Sequence, residues 1–216
     1  MARSVDAYAE YQRIVGGDDK GKLFSDSEYE NYKKRVTPLR INNRMFVSWQ
    51  NENGMDCKLI GPETKCLCQC RFKRHQTDVT VINKKTKKIP CSDCGCKGFT
   101  YVPANGPRQM RCGRCKCEAS AHNAKMAPYK CPKCSKCPGF MTAARCSCGK
   151  LAPEHQLVVE SKEERIAAGK PVGIDCIYKA MGGITGFSSL LDGAQRLDPS
   201  GLGDFPSITA AYKALE

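Results

Sequence analysis

Residues 66–75 read CLCQCRFKRH and residues 112–122 read CGRCKCEASAH, and these two stretches carry the most informative pattern of the chain. Both contain the pattern Cys-x-Cys-x4-His. A shorter form, CSCGKLAPEH, follows at residues 146–155. The three histidines of the chain therefore share one position of a common pattern, which is improbable by chance. Thiolate and imidazole are ligands that zinc prefers, and two ligands one or two residues apart can chelate one ion. The pattern predicts zinc binding.

Two cysteine triplets alternate with these stretches, in residues 91–99 (CSDCGCKGF) and 131–140 (CPKCSKCPGF), and both end in x2-Phe. The alternation is an internal repeat of two and a half copies. The predicted metal ligands are fourteen cysteines and three histidines: Cys66, Cys68, Cys70, His75, Cys91, Cys94, Cys96, Cys112, Cys115, Cys117, His122, Cys131, Cys134, Cys137, Cys146, Cys148 and His155.

The spacing favours one way of sharing these ligands, and others stay open. Cys91-x2-Cys94 followed by Cys112-x2-Cys115 matches the spacing of a zinc ribbon. The other ligands then form a second site (Cys66, Cys68, Cys70, His75), a third (Cys131, Cys134, Cys146, Cys148) and a fourth drawn from Cys96, Cys117, His122, Cys137 and His155. Cys-x-Cys steps also permit bridged clusters. The expected cofactor is Zn²⁺, with three or four ions.

Charge and cysteine are concentrated in the same part of the chain. The 216 residues suffice for one ordinary domain or two small ones and carry a formal charge of +13. Residues 65–150 hold nineteen basic and three acidic residues and fourteen of the 16 cysteines, whereas residues 1–64 are neutral and residues 151–216 are net −3. Few large apolar side chains lie in this basic span, and a structural zinc site contributes roughly 10–16 kcal/mol in small fingers, which can replace a core.

Membrane and secreted classes are not expected. No stretch approaches the roughly 18 apolar residues of a membrane span. Asp6 and Glu10 stand where a secretory signal has its apolar core. In a cytoplasmic chain, this much cysteine favours metal ligation over disulfides.

The predicted fold is a small irregular α+β protein. A zinc-stapled Cys/His-rich module of zinc-ribbon-like hairpins is expected over residues 65–155. A helical N-terminal flank (1–44) and a β-hairpin packing on the module (45–64) precede it, and an extended C-terminal arm with short helices (156–216) follows.

Local signals predict the helices. Ser4 is the expected start of a helix that runs through Val15. Another helix is expected at Ser161–Ala168. Ser25 and Glu28 fit a capping box that opens a helix, and Pro38 is expected to stop it.

Strands at residues 45–49 and 57–60 flank an Asn/Gly turn and predict the hairpin, which carries the single tryptophan. Cys57 lies in the second strand, and we expect it to be a buried thiol rather than a ligand. Cys176 is isolated and is expected to be inert.

The motifs of common enzymes are incomplete. Cys91-x2-Cys94 copies half of the zinc-deaminase signature, but no histidine is followed by x-Glu, so the proton shuttle is missing. The ligand order is not that of a ubiquitin-ligase RING, and no phosphate loop or serine-nucleophile elbow occurs. Ligand sets made entirely of protein atoms suit closed structural sites, so an enzyme is not expected.

Residues 56–68 (DCKLIGPETKCLC), followed by His75, resemble the cysteine-rich "family with sequence similarity 221" proteins. The resemblance spans roughly residues 40–195, through CGCKGFTYVP at 94–103, the Cys115-x-Cys117-x4-His122 unit, Glu154-His155 and GITGFSSLL at 183–191. The family pattern often has histidine where Cys70 and Cys117 stand, which supports both as ligands. The chain departs from it at Cys146-Ser147-Cys148, where the family has a wider cysteine pair. The resemblance implies no established catalytic activity and an association with ciliated and flagellated cells.

The expected function is therefore that of a zinc-binding structural protein of the ciliary or flagellar axoneme, in the cytoplasm and cytoskeleton. Its expected partners are tubulin in microtubules, whose surface is acidic, or other axonemal proteins. The candidate contact residues are a lysine run and apolar residues of the arm: Lys84, Lys85, Lys87, Lys88, Phe187, Leu190 and Leu191. A nucleic-acid-binding zinc protein, a ubiquitin-pathway adaptor and a solvated basic face without a charged partner are the alternatives.

Overall fold

A computed structural model describes residues 2–83, 85–103, 111–125, 127–134, 136–142, 144–173, 175 and 177–181. In chain order its elements are α1 (Ala2–Val15), α2 (Asp26–Asn42), β1 (Met45–Asn51), β2 (Asp56–Leu59), β3 (His155–Ser161) and α3 (Lys162–Ala167). Three single-turn 3₁₀ helices at Phe72–Arg74, Ala119–Ala121 and Ala152–Glu154 lie in the cysteine-rich part. The predicted small α+β class is confirmed.

Two N-terminal helices form in the stretches that the sequence predicts, although α1 begins at Ala2 rather than at the predicted start, Ser4. Gly16 ends α1 with a φ of +67°, which a glycine adopts without strain. Ser25 caps α2, and the side chain of Glu28 accepts a hydrogen bond from the Ser25 backbone, which completes the capping box. The predicted stop at Pro38 is wrong, because α2 continues to Asn42. Arg40 anchors this last turn through two hydrogen bonds to the Asp78 carboxylate, at 3.0 and 2.7 Å.

A three-stranded antiparallel sheet in the order β2-β1-β3 forms the centre of the fold. The predicted hairpin supplies β1 and β2, and every residue of β1 is buried because it is the central strand. The third strand was not predicted. Residues 156–161, assigned to the extended arm, pair with β1 in a register from Met45 opposite Ser161 to Asn51 opposite His155. The predicted short helix follows this strand as α3, capped by Ser161.

Two apolar clusters hold these elements together. Ile14 and Val15 of α1 pack with Tyr32 and Val36 of α2. The larger cluster joins the sheet to the first cysteine-rich segment, and its fully buried members include Val47, Ile60, Leu67, Phe72 and Ile89. The cysteine-rich segment therefore packs against the sheet.

A buried ion network fixes α3 to the sheet. The Arg165 guanidinium is 1% exposed and donates hydrogen bonds to Glu160 of β3 and Asp56 of β2, both at 2.9 Å. Burial alone would raise the pKa of Asp56, but the hydrogen bond and charge of Arg165 outweigh it and lower that pKa. Among the described residues, no helix combines the length and apolar character needed to cross a membrane.

Candidate metal centres

The described cysteines and histidines form five groups in which the potential ligand atoms lie within 4.8 Å of one another. We name them after one member each. They are the His75 group (Cys66, Cys68, His75, Cys96), the Cys70 group (Cys68, Cys70, Cys91, Cys94), the His122 group (Cys112, Cys115, His122, Cys137), the Cys117 group (Cys115, Cys117, Cys131) and the His155 group (Cys57, Cys146, Cys148, His155).

The groups follow the internal repeat. The first repeat (residues 65–103) contains the His75 and Cys70 groups, which share Cys68. The second repeat (residues 111–142) contains the His122 and Cys117 groups, which share Cys115. The half repeat (residues 145–155) supplies three ligands of the His155 group, and β2 supplies the fourth, Cys57.

One local backbone structure delivers each histidine. Six residues before it, the chain turns through a positive φ, at Gln69 (71°), Lys116 (62°) and Gly149 (87°). A single 3₁₀ turn then ends at the histidine. The identical offset in all three units shows that the sequence repeat is also a structural repeat.

The three imidazole rings are oriented alike. Each Nδ1 lies 2.8–3.1 Å from the backbone carbonyl four residues earlier, and each Nε2 lies 3.3–3.9 Å from the Sγ atom seven residues earlier. A carbonyl partner fixes the proton on Nδ1 and leaves Nε2 free to bind a metal ion. Burial lowers the pKa of His75, which further favours the neutral ring.

An aromatic ring packs on each of the three histidines. Phe99 meets His75 edge to face at 5.1 Å between ring centroids, and Phe140 meets His122 in the same way at 5.2 Å. In the half repeat Trp49 stacks on His155 at 3.9 Å. The x2-Phe that ends each cysteine triplet thus supports the histidine of its own repeat.

Backbone N–H groups stabilise several of the thiolates. Burial alone would raise the pKa of Cys112, but N–H donors of Cys115, Met141 and Arg114 outweigh it and lower that pKa to about 6. The N–H of Lys150 is the main cause that lowers the pKa of Cys148 to about 6. Thiolates are the form of cysteine that binds zinc, so these donors favour the metal-binding form at Cys112 and Cys148.

The predicted sharing of ligands is wrong. Cys91 and Cys94 lie with Cys68 and Cys70 rather than with Cys112 and Cys115, so the zinc-ribbon pairing does not form. The predicted second site is divided between two groups, and the predicted third and fourth sites mix ligands that belong to different repeats. Each repeat folds on itself, because its backbone pairs internally, as in the bridge between His75 and Cys91. Five groups replace the predicted three or four sites.

Sixteen of the seventeen predicted ligands fall in these groups, and Cys134 is the exception. Cys57, expected to be a buried thiol rather than a ligand, is half-buried and lies in the His155 group, which could hold a metal ion. Burial and the thiols of Cys148 and Cys146 raise its pKa to about 12. The half repeat contains only two cysteines and lacks a following triplet. This shortage of ligands is the signal that points to a fourth ligand elsewhere in the chain.

Only part of the predicted contact surface is described. Lys85 and Lys88 are exposed, and Lys87 pairs with Glu164 at 3.0 Å. Lys84, Cys176, Phe187, Leu190 and Leu191 lie outside the described residues.

Fold and site together define a small α+β protein with a three-stranded antiparallel sheet and Cys/His clusters that could hold metal ions. The family model described as Protein FAM221A/B matches residues 11–204, so the chain belongs to the FAM221 family. It is 54% identical over 217 residues to Protein FAM221A of Mus musculus, covering 99% of this chain and 71% of the mouse protein. With Protein FAM221A of Homo sapiens it shares 53% identity over 211 residues, covering 96% and 70% of the two chains.

Protein FAM221B of Mus musculus is a more distant relative. It is 26% identical over 165 residues, covering 68% of this chain and 33% of the mouse protein. No solved structure matches the chain.

Proposed function

We propose that this chain is a non-enzymatic zinc-binding interaction protein in which zinc ions hold the cysteine-rich segment together. The observation that carries this proposal is the composition of the groups. Four of the five offer four Cys or His ligands each. Zinc that takes four protein ligands has no open position for water or substrate, which is typical of structural rather than catalytic sites.

The exposed positive charge of the second repeat favours a partner with an acidic surface. Seven basic residues lie on this repeat and all are exposed: Arg111, Arg114, Lys116, Lys125, Lys130, Lys133 and Lys136. Glu118 is its one acidic residue and is half-buried. Within the part of the chain that the structure describes, none of these seven cations forms an ion pair, so their field extends into solvent.

In the first repeat, by contrast, several basic residues form ion pairs with carboxylates of the same chain. Glu63 pairs with Arg71 at 2.7 Å and with Lys73 at 2.6 Å, and Asp93 lies 3.6 Å from Arg74. Lys87 of the lysine run pairs with Glu164. More of its positive charge is neutralised within the chain, so the second repeat is the stronger candidate for electrostatic docking.

The partner that we propose is the acidic surface of microtubules, or a microtubule-associated protein, in the axoneme of cilia or flagella. The expected association of the family with ciliated cells favours this partner over other acidic proteins. Nucleic acid is the second candidate, because the same seven exposed cations would bind phosphates in a salt-dependent manner.

Pelleting of the zinc-loaded full chain with microtubules at physiological salt, with duplex DNA and RNA as competitors, tests this proposal. Pelleting that survives the competitors supports the microtubule. Pelleting abolished by nucleic acid favours the second candidate, and no pelleting at all contradicts microtubule docking.

Charge-reversal variants locate the contact. We expect Lys130→Glu with Lys133→Glu and Lys136→Glu to weaken binding about tenfold or more, since each surface charge contributes up to about 1 kcal/mol. The matched control reverses three exposed lysines of the N-terminal flank, Lys20, Lys22 and Lys34, and should bind normally. Reversal of Lys84, Lys85, Lys87 and Lys88 tests the lysine run in the same assay. Equal loss in the control would mean that only net charge matters.

A further inference from the structure

We propose that each complete repeat holds two metal ions joined by one bridging thiolate, Cys68 in the first repeat and Cys115 in the second. The inference rests on the zinc binding proposed above and adds the number of ions and the way they are linked. In the first repeat, Cys68 lies within 4.8 Å of all members of both the His75 and the Cys70 groups.

The number of ligands requires the bridge. The first repeat offers six cysteines and one histidine: Cys66, Cys68, Cys70, His75, Cys91, Cys94 and Cys96. Two tetrahedral ions have eight coordination positions, and seven ligands fill them only when one ligand is shared. A thiolate sulfur has lone pairs for two ions, whereas the Nδ1 of His75 faces the Arg71 carbonyl at 3.1 Å and leaves only Nε2. The shared ligand is therefore a cysteine, and Cys68 is the one that both groups contain.

The second repeat has the same backbone pairing. The N–H of Phe99 donates to the Ile89 carbonyl at 2.8 Å, and that of Phe140 donates to the Tyr129 carbonyl at 3.0 Å. The residue after each ligand histidine also pairs alike, Gln76 with Pro90 and Asn123 with Lys130, both at 2.9 Å. These matches align the two cysteine triplets with each other.

The alignment assigns Cys134 as the missing ligand. Cys134 is the middle cysteine of its triplet, as Cys94 is in the first repeat, and it packs against the buried thiols of this cluster. The Cys117 group contains only three thiols, so Cys134 would complete its tetrahedron. The second repeat then offers six cysteines and one histidine, as the first does.

The half repeat provides an internal contrast. Lys150 stands where the complete repeats have Cys70 and Cys117, and no cysteine triplet follows His155. Four ligands remain, one of them Cys57 from β2, and they fill a single tetrahedron without sharing. The chain would therefore bind five ions, as two bridged pairs and one isolated ion.

Cadmium-113 substitution of the full chain tests this arrangement, because Cd²⁺ also favours thiolate ligands and its nuclear spin reports through-bond contacts. We expect five ions by native mass spectrometry and five ¹¹³Cd resonances. Four of them should be coupled in two separate pairs, because one sulfur joins each pair, and the fifth should show no coupling. Five resonances without coupling would overturn the bridge and leave zinc binding intact, whereas a chain that takes up no metal would overturn both.

Variants test the assignment of Cys134 and the separation of the half repeat from the bridged pairs. Cys134→Ser should cost one ion and the coupling in the second pair alone, and unchanged spectra would refute its assignment. Cys148→Ser in the half repeat is the matched control and should remove the isolated resonance while both couplings persist. Loss of a coupling in that control would contradict the division of the chain into two bridged pairs and one single site.

Discussion

Replacement of Cys57 by serine removes one ligand from the His155 group, a ligand that lies about 90 residues before the other three in the chain. A serine hydroxyl is a much weaker zinc ligand than a thiolate. Structural zinc contributes roughly 10–16 kcal/mol in small domains, so one ligand of four accounts for about 2.5–4 kcal/mol. Since 1.4 kcal/mol is a tenfold change, the affinity of this site should fall by about 10²- to 10³-fold.

Chelator competition followed by native mass spectrometry measures this loss. We expect Cys57→Ser to release one ion at a chelator concentration that leaves the other ions bound. Trp49, the single tryptophan, is 6% exposed and stacks on His155 at 3.9 Å. Its fluorescence should therefore change in the same step.

The control is Lys58→Ser, which alters the next residue of β2, an exposed side chain on the opposite face of the strand. This variant should release its ions as the wild type does. An unchanged release profile for Cys57→Ser would show that Cys57 does not bind the metal.

Three further predictions concern the free energy of unfolding and the release of zinc at low pH. Arg165→Leu should destabilise the fold by about 2–4 kcal/mol in urea unfolding, because it removes the hydrogen bonds of the guanidinium to the buried carboxylates of Asp56 and Glu160 and leaves Lys170, at 4.0 and 2.7 Å, as their cation; a loss below about 1 kcal/mol would contradict this. Ser25→Ala removes the cap of α2 and should cost about 1 kcal/mol in thermal unfolding, whereas Ser27→Ala, within the first turn, should cost less. Because the folded state lowers the pKa of His75 below 6.5, the stability gained from its neutral ring is present above about pH 6.5 and is lost as the pH falls below that value. Zinc release should therefore begin on acidification, and release that increases only on raising the pH would contradict this sign.

Local signals in the sequence predict local structure well. The capping box at Ser25 and the Asn/Gly turn of the hairpin depend on neighbouring residues, and both form as predicted. The three histidines share one position of the sequence pattern, and this predicts the structural repeat. The same backbone turn precedes each histidine in the structure. Pro38 shows the limit of a local signal, since contacts of Arg40 with the distant Asp78 hold the helix together beyond it.

The partition of ligands was less predictable for a physical reason. Spacing determines which cysteines can chelate together as neighbours, but not which pairs meet across the fold. Cys91 and Cys94 fit the Cys112 pair by spacing, yet the backbone pairing of the first repeat places them beside Cys70. Strand β3 and the role of Cys57 depend on pairing between residues about 100 positions apart, which no local pattern reports.

The zinc content of the purified full chain, measured before and after chelation together with its amide hydrogen exchange, shows whether metal ions hold the cysteine-rich segment together. We expect five bound zinc ions per chain. We also expect that chelation abolishes protection in residues 65–155, whereas α1 and α2, which pack through Ile14, Val15, Tyr32 and Val36, lose less. A chain that is purified without metal and still protects the cysteine-rich segment would contradict both expectations.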